Sequence, residues 1–145
     1  MRREAALLKQ AAIDSLVVAI DRFNRTVGPA RLEASVIFAK RAFEMLMKAA
    51  IKQKKGRIQD KDEKYTYSFE KCLNIAVDGI GILSDEQRIA LRALDTDRDA
   101  ATHHLLQSEE PLLYIKMQGA VTTFSEVLEK AFGETLCQFR RNQLE

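Results

Sequence analysis

The sequence predicts an all-α protein, a helical bundle of four long helices and one short helix, on three observations. Apolar residues recur at three-and-four spacing over long stretches, as one buried helix face requires. No stretch alternates with the period of two that a half-buried strand shows. Six Gly and two Pro leave too few turn signals for a many-stranded fold. At 145 residues, with 46% apolar and 30% charged side chains, the chain is read as one globular domain over residues 1–145.

The first helix is expected from about residue 3 to 25, with Ile13, Leu16, Val17, Ile20 and Phe23 on its buried stripe, until "NRTVGP" stops it. Pro29 suits a first helical turn, so a second helix opens near it and runs to about Lys55, burying Leu32, Val36, Ala39, Phe43, Leu46 and Ala50. "KQKKGRIQDKDEK" is polar and aperiodic and reads as an exposed connection. From Lys48 to Lys64 there are seven Lys or Arg against three Asp or Glu, the pattern of a solvated loop or of a rim that attracts phosphate.

Ser68 caps a short third helix with Phe69, Cys72, Leu73 and Ala76 inward, ending near "DGIG". Ser84 and Gln87 have capping-box spacing, and Asp85 and Glu86 complement the dipole of a fourth helix from about Asp85 to His104. "QSEEP" breaks the pattern, and Pro111 sits in the first turn of a long last helix. Met117, Val121, Phe124, Leu128 and Ala131 share one side of it, and Gly133 kinks or ends it.

A net charge of +2 and a pI near 8.6 are too mild to define a nucleic-acid binder by themselves. Cys72 and Cys137 stand apart from each other and from the histidines, which argues against a zinc site or a redox pair and for buried thiols. With no Gly-rich phosphate loop, no carboxylate and histidine cluster at ligand spacing and no helix-turn-helix, neither metal nor cofactor is expected. "MRREAALLKQAAID" begins like a secretory signal, but Lys9, Gln10 and Asp14 interrupt its apolar run. No stretch reaches the ~18 apolar residues of a membrane span. A cytoplasmic protein that does not engage membrane is the expectation.

"LDTDRDAATHHLL", residues 94–106, contains both histidines. At helical periodicity Leu94, Ala101 and Leu105 form a stripe, with Ala90 and Leu91 at its edges, that faces the core. Asp95, Asp99, Thr102 and His103 lie on another face, with Arg98 between the two and His104 pointing elsewhere. Such a face is compatible with plain solvation near a negative helix C-terminus. It is equally compatible with a site: an arginine fork for phosphate, a carboxylate that orients a neighbour, and an imidazole, the side-chain type that exchanges protons near neutrality. One chain offers a single suitable histidine, so two proton transfers call for two copies across a two-fold axis.

"RDAATH" near the end of the fourth helix resembles the signature of HEPN domains, Arg, four to six residues, then His. A second block, "RLEASVIFAKRAFEMLMKAAI", is similar to the second helix of a poorly characterised HEPN subfamily through Arg31, Glu33, Phe43, Glu44, Leu46 and Lys48. Together these cover about residues 5–130. The resemblance implies a bundle that dimerises through the motif helices and, in active members, a metal-independent endoribonuclease akin to toxins of toxin–antitoxin and abortive-infection systems.

By that resemblance His103 is the acid and base, Arg98 binds the scissile phosphate, and Asp99 orients one of them or pairs with Arg98. Glu44, Thr102 and His104 are accessory candidates, although Glu44 also has ordinary helical partners in Lys40 and Lys48. RNA, a second copy of the chain and an antitoxin or other defence protein are the implied partners. The other reading is a non-catalytic HEPN module that binds RNA, a nucleotide or protein and supplies dimerisation.

Overall fold

The computed structural model describes residues 1–28, 30–103, 106 and 109–136. They form an all-α bundle: α1 (Arg3–Asn24), α2 (Arg31–Lys55), α3 (Phe69–Asn74), α4 (Asp85–Thr102) and α5 (Glu110–Phe132). A π-helical turn over Ile75–Gly79 prolongs α3, and no strand occurs among the described residues. None of these helices is long and apolar enough to cross a membrane.

The architecture follows from α2, which is apolar around much of its circumference and therefore needs neighbours on several sides. From Leu46 to Ile51 every residue is buried. All the other helices pack on it, α1 most extensively. The core joins Ile13 and Leu16 of α1 to Phe43, Leu46, Met47 and Ile51 of α2, Leu73 of α3, Leu91 of α4 and Phe124 and Leu128 of α5. Phe43 and Phe124 meet edge to face with ring centres 5.7 Å apart, the arrangement aromatic quadrupoles favour.

The helix ends follow local chemistry. Ser84 and Gln87 form a complete capping box: the Gln87 amide donates to Ser84 Oγ at 3.1 Å and the Ser84 amide to Gln87 Oε1 at 2.9 Å. Ser84→Ala should therefore cost about 1 kcal/mol, readable as a lower urea midpoint at unchanged slope; a midpoint equal to the parent's would mean that the cap contributes nothing. Gly56, at φ +82°, and Gly133, at φ +67°, end α2 and α5 in the left-handed conformation. Gly133 is thus a stop and not a kink. Helix α2 starts after Ala30, which itself lies at φ +52°, while Pro29 is outside the described residues.

Two positions depart from the stripes expected for them. Val17 is 45% exposed, and Ala12, Ser15 and Ala19 take the inner face of α1 instead, small side chains that let α1 lie close against α2. Ala90 is exposed because only a narrow stripe of α4, Leu91, Leu94 and Ala101, reaches the core. Helix α4 ends at Thr102 with His103 as its C-cap, two residues earlier than expected; His104 and Leu105 lie outside the described residues.

Ion pairs set the directions of the helices. Glu4 of α1 pairs with Lys52 at the end of α2, so these two are antiparallel. The Lys55 stem lies beside Gly79, just ahead of α4, whereas Lys40 faces Asp95 in the middle of α4, so α4 also runs against α2. Arg31 pairs with Glu110 and Lys9 with Glu134, which makes α5 parallel to α2. One end of the bundle therefore gathers the start of α1 and the end of α2. The other gathers the end of α4 and the start of α5.

Candidate functional site at the end of the fourth helix

Arg98, Asp99, Thr102 and His103 all fall in the last turns of α4, at the second of these ends. Arg98 is half-buried at the edge of the core stripe, and its Nη1 meets Asp99 Oδ1 at 2.9 Å. A guanidinium carries five N–H donors, and among the described residues Asp99 is the only side chain bonded to this one. Thr102 turns its hydroxyl back onto the Arg98 carbonyl at 2.9 Å, which makes it a helix-surface residue with its donor engaged.

His103 is exposed, and its backbone N–H reaches the Asp99 carbonyl at 3.3 Å. Its imidazole has no side-chain partner among the described residues. As the C-cap, with φ −98° and ψ 11°, it leaves the helical path where the last carbonyls of α4 make the surroundings negative.

Each carboxylate on this part of α4 has its own cation. Asp95 lies 3.8 Å from Lys40 of α2, Asp97 lies 2.9 Å from Lys116 of α5, and Asp99 holds Arg98. The two flanking pairs pin the motif helix to both neighbours. Lys40 is the more unusual of the lysines, being only 6% exposed. Its ammonium lies 3.3 Å from Glu44 and 4.8 Å from the centre of the Phe69 ring.

Glu44 is thereby connected to the motif helix, through Lys40 and Asp95, and does not touch Arg98 or His103. Lys48 does not pair with Glu44; it donates to the Thr66 hydroxyl at 2.8 Å. Partial burial holds the Asp95 carboxyl above its ordinary value, with the Lys40 charge working against this, Asp99 adding to it, Arg98 lowering it and Glu44 raising it. Asp95 therefore senses the whole cluster. The sequence placed it on the polar face of the fourth helix without a role, since its partner Lys40 is 55 positions away.

Cys72 is fully buried, and burial pushes its thiol up to about 11, the property of an inert core residue. Cys137 lies outside the described residues. Among the described residues no three or more His, Cys, Asp or Glu are grouped to hold a metal ion. Clefts of about 480 Å³ between α1 and α5 and about 330 Å³ between α4 and α5 are lined by neither Arg98, Asp99 nor His103. Arg98, Asp99 and His103 thus lie outside these two clefts.

The fold and this end of α4 define a class: an all-α bundle whose fourth helix presents an arginine, a carboxylate and a histidine to the outside. The family is specific. A model described as a domain of unknown function, DUF3644, matches residues 7–145, and the chain belongs to that family. No curated protein and no solved structure matches it.

Proposed function

We propose that this protein is a HEPN-like, metal-independent endoribonuclease that acts as a homodimer in the cytoplasm, in toxin–antitoxin or abortive-infection defence. The observation that carries this reading is the presence of Arg98, Asp99 and an exposed His103 together at the end of α4, outside the two clefts described. A reacting phosphodiester needs groups converging on it from more than one side, and a second copy of α4 supplies the missing wall.

In that composite site one His103 takes the proton of the 2′-hydroxyl as the 2′-oxygen attacks phosphorus, and the other copy protonates the departing 5′-oxygen. Arg98 meets the charge that accumulates on the phosphoryl oxygens in the transition state. Asp99 holds the Arg98 fork at 2.9 Å and so limits its rotamers before substrate arrives. RNA is the substrate and an antitoxin or another defence protein the controlling partner.

The test is cleavage of RNA by the purified protein in excess EDTA. Arg98→Ala and His103→Ala should each lower the rate by about 10²-fold or more with melting temperatures close to the parent's, because His103 is exposed and Arg98 is only partly buried. Undiminished cleavage in both variants would overturn the assignment, as would a monomer at micromolar concentration.

The Arg98–Asp99 ion pair favours a second reading, a non-catalytic module, because a paired guanidinium is partly neutralised. That reading predicts dimers that bind RNA and leave it intact.

A further inference from the structure

The packing of α1 against α2 creates a basic end that the linear sequence does not display. Arg2 and Arg3 are 50 residues from Lys52–Arg57, yet the Arg2 amide donates to Gln53 Oε1 at 2.8 Å and its guanidinium lies beside Gly56. This anchors one cation on the C-terminus of α2, where the helix dipole favours it. Residues 1–4 and 52–64 hold eight Lys or Arg against four Asp or Glu, whereas the rest of the chain holds 15 against 17. The positive charge of the protein is therefore concentrated at this end.

Much of it is uncommitted. Lys52 pairs with Glu4, but Arg3, Lys54, Lys55 and Lys61 are exposed and make no ion pair among the described residues. Arg57 is exposed as well and only assists in lowering the Asp60 carboxyl, which Lys71 holds directly. The connecting loop is closed on itself by the Tyr67 amide donating to the Ile58 carbonyl at 2.7 Å. From that loop Tyr65 projects with 75% of its surface exposed and Lys64 5.5 Å from its ring centre. Nothing in the core needs Tyr65 there.

We propose that this end of the bundle is a docking surface for single-stranded RNA, with Arg3, Lys54, Lys55, Arg57 and Lys61 tracking phosphates and Tyr65 stacking on a base. Cations without partners release counterions on meeting a phosphate chain, and an exposed aromatic beside them accepts any base face.

The surface is separate from the motif helix end. Lys55 is 15 residues from Lys40, which faces Asp95, so the basic end lies about 20 Å along α2 from the middle of α4. The choice of RNA over other polyanions rests on the reading given under Proposed function; the location of the surface does not.

The experiment measures anisotropy of a fluorescein-labelled 20-nucleotide single-stranded RNA over a KCl series, on the His103→Ala background so that cleavage does not intervene. The triple variant Lys54→Gln, Lys55→Gln, Arg57→Gln should bind about tenfold more weakly or worse, with a salt slope shallower by about 2, at roughly 0.7 per lost phosphate contact. Tyr65→Ala should weaken binding about fivefold or more. Glutamine preserves helix propensity, and circular dichroism checks that each variant is folded.

Parental affinity and slope in the triple variant would overturn the proposal, and so would binding to phosphatidylserine vesicles in place of RNA. Loss of binding on Arg98→Ala alone would also overturn it, by moving the contact to the motif end. A failure of the cleavage reading leaves these binding outcomes unchanged, so the two are separable.

Discussion

Lys40→Met is expected to destabilise the protein by about 2–3 kcal/mol at pH 7 and by clearly less near pH 4. Removing one partner of a buried ion pair typically costs 3–5 kcal/mol, because the remaining charge is left uncompensated in a poorly solvated place. Here the Glu44 and Asp95 side chains keep 22% and 35% of their surface exposed, which lets solvent take up part of the loss.

The pH dependence has a definite sign. Burial raises the Asp95 carboxyl in the folded protein, so the folded state holds that proton more tightly than the unfolded chain does. Its ionisation therefore costs stability as pH rises from the ordinary carboxylate value through the raised one, and the cost persists above it. Lys40 is the largest influence opposing this rise. Without it the Asp95 value moves further up and the cost at neutral pH grows.

Urea unfolding of the parent and the variant at pH 4, 5 and 7 reads the effect directly. An equal deficit at all three pH values would show that Lys40 acts only through the contact of its ammonium with the Phe69 ring.

Phe43→Ala is expected to cost about 3–5 kcal/mol, the largest loss from any single change considered. Phe43 is fully buried in the centre of α2, and its ring meets Phe124 edge to face. Truncation removes apolar contact on several sides at once and forfeits the pair with Phe124, itself worth about 0.5–1.5 kcal/mol. Against a usual total of 5–15 kcal/mol this is a large fraction. The melting temperature should fall by about 6–20 °C, at about 2–4 °C per kcal/mol. A loss under about 1 kcal/mol would mean that the bundle closes over the void.

Much of the fold is legible along the chain because it depends on neighbours within a turn or two. The capping box at Ser84, the end of α5 at Gly133 and the inward Phe69, Cys72, Leu73 and Ala76 of α3 are all matters of i, i+3 and i, i+4 spacing. Val17 and Ala90 show where this runs out. A helical stripe is an arc of a circle, and how much of the arc is covered depends on how close the partner helix comes. Alanines on α1 bring α2 near and shift the buried arc off Val17, and α4 meets the core along too narrow a line to cover Ala90.

The candidate site divides in the same way. Arg98, Asp99, Thr102 and His103 share two turns of one helix, so their association is readable in the sequence, including the contact between Arg98 and Asp99. Lys40 had a helical carboxylate in Glu44 and Asp95 had arginines at i−3 and i+3 in Arg92 and Arg98, so nothing along either helix indicated that Lys40 and Asp95 would meet. Glu44, read along the chain as a partner of both Lys40 and Lys48, faces Lys40, while Lys48 turns to Thr66.

The amino-acid sequence alone determined that the protein is helical, where its helices begin and end to within a residue or two, and which residues its motif helix carries on one face. These are local properties, set by backbone hydrogen bonds, caps and the 3.6-residue period. Only the tertiary structure decided that Lys40 and Asp95 meet, that Arg2 joins the end of α2, and that the basic loop and the Arg98–His103 turn occupy opposite ends of the bundle. Those depend on the directions in which distant helices pack. Charge and apolar contact act through space, and no periodicity within a single helix encodes which partner will lie across from it.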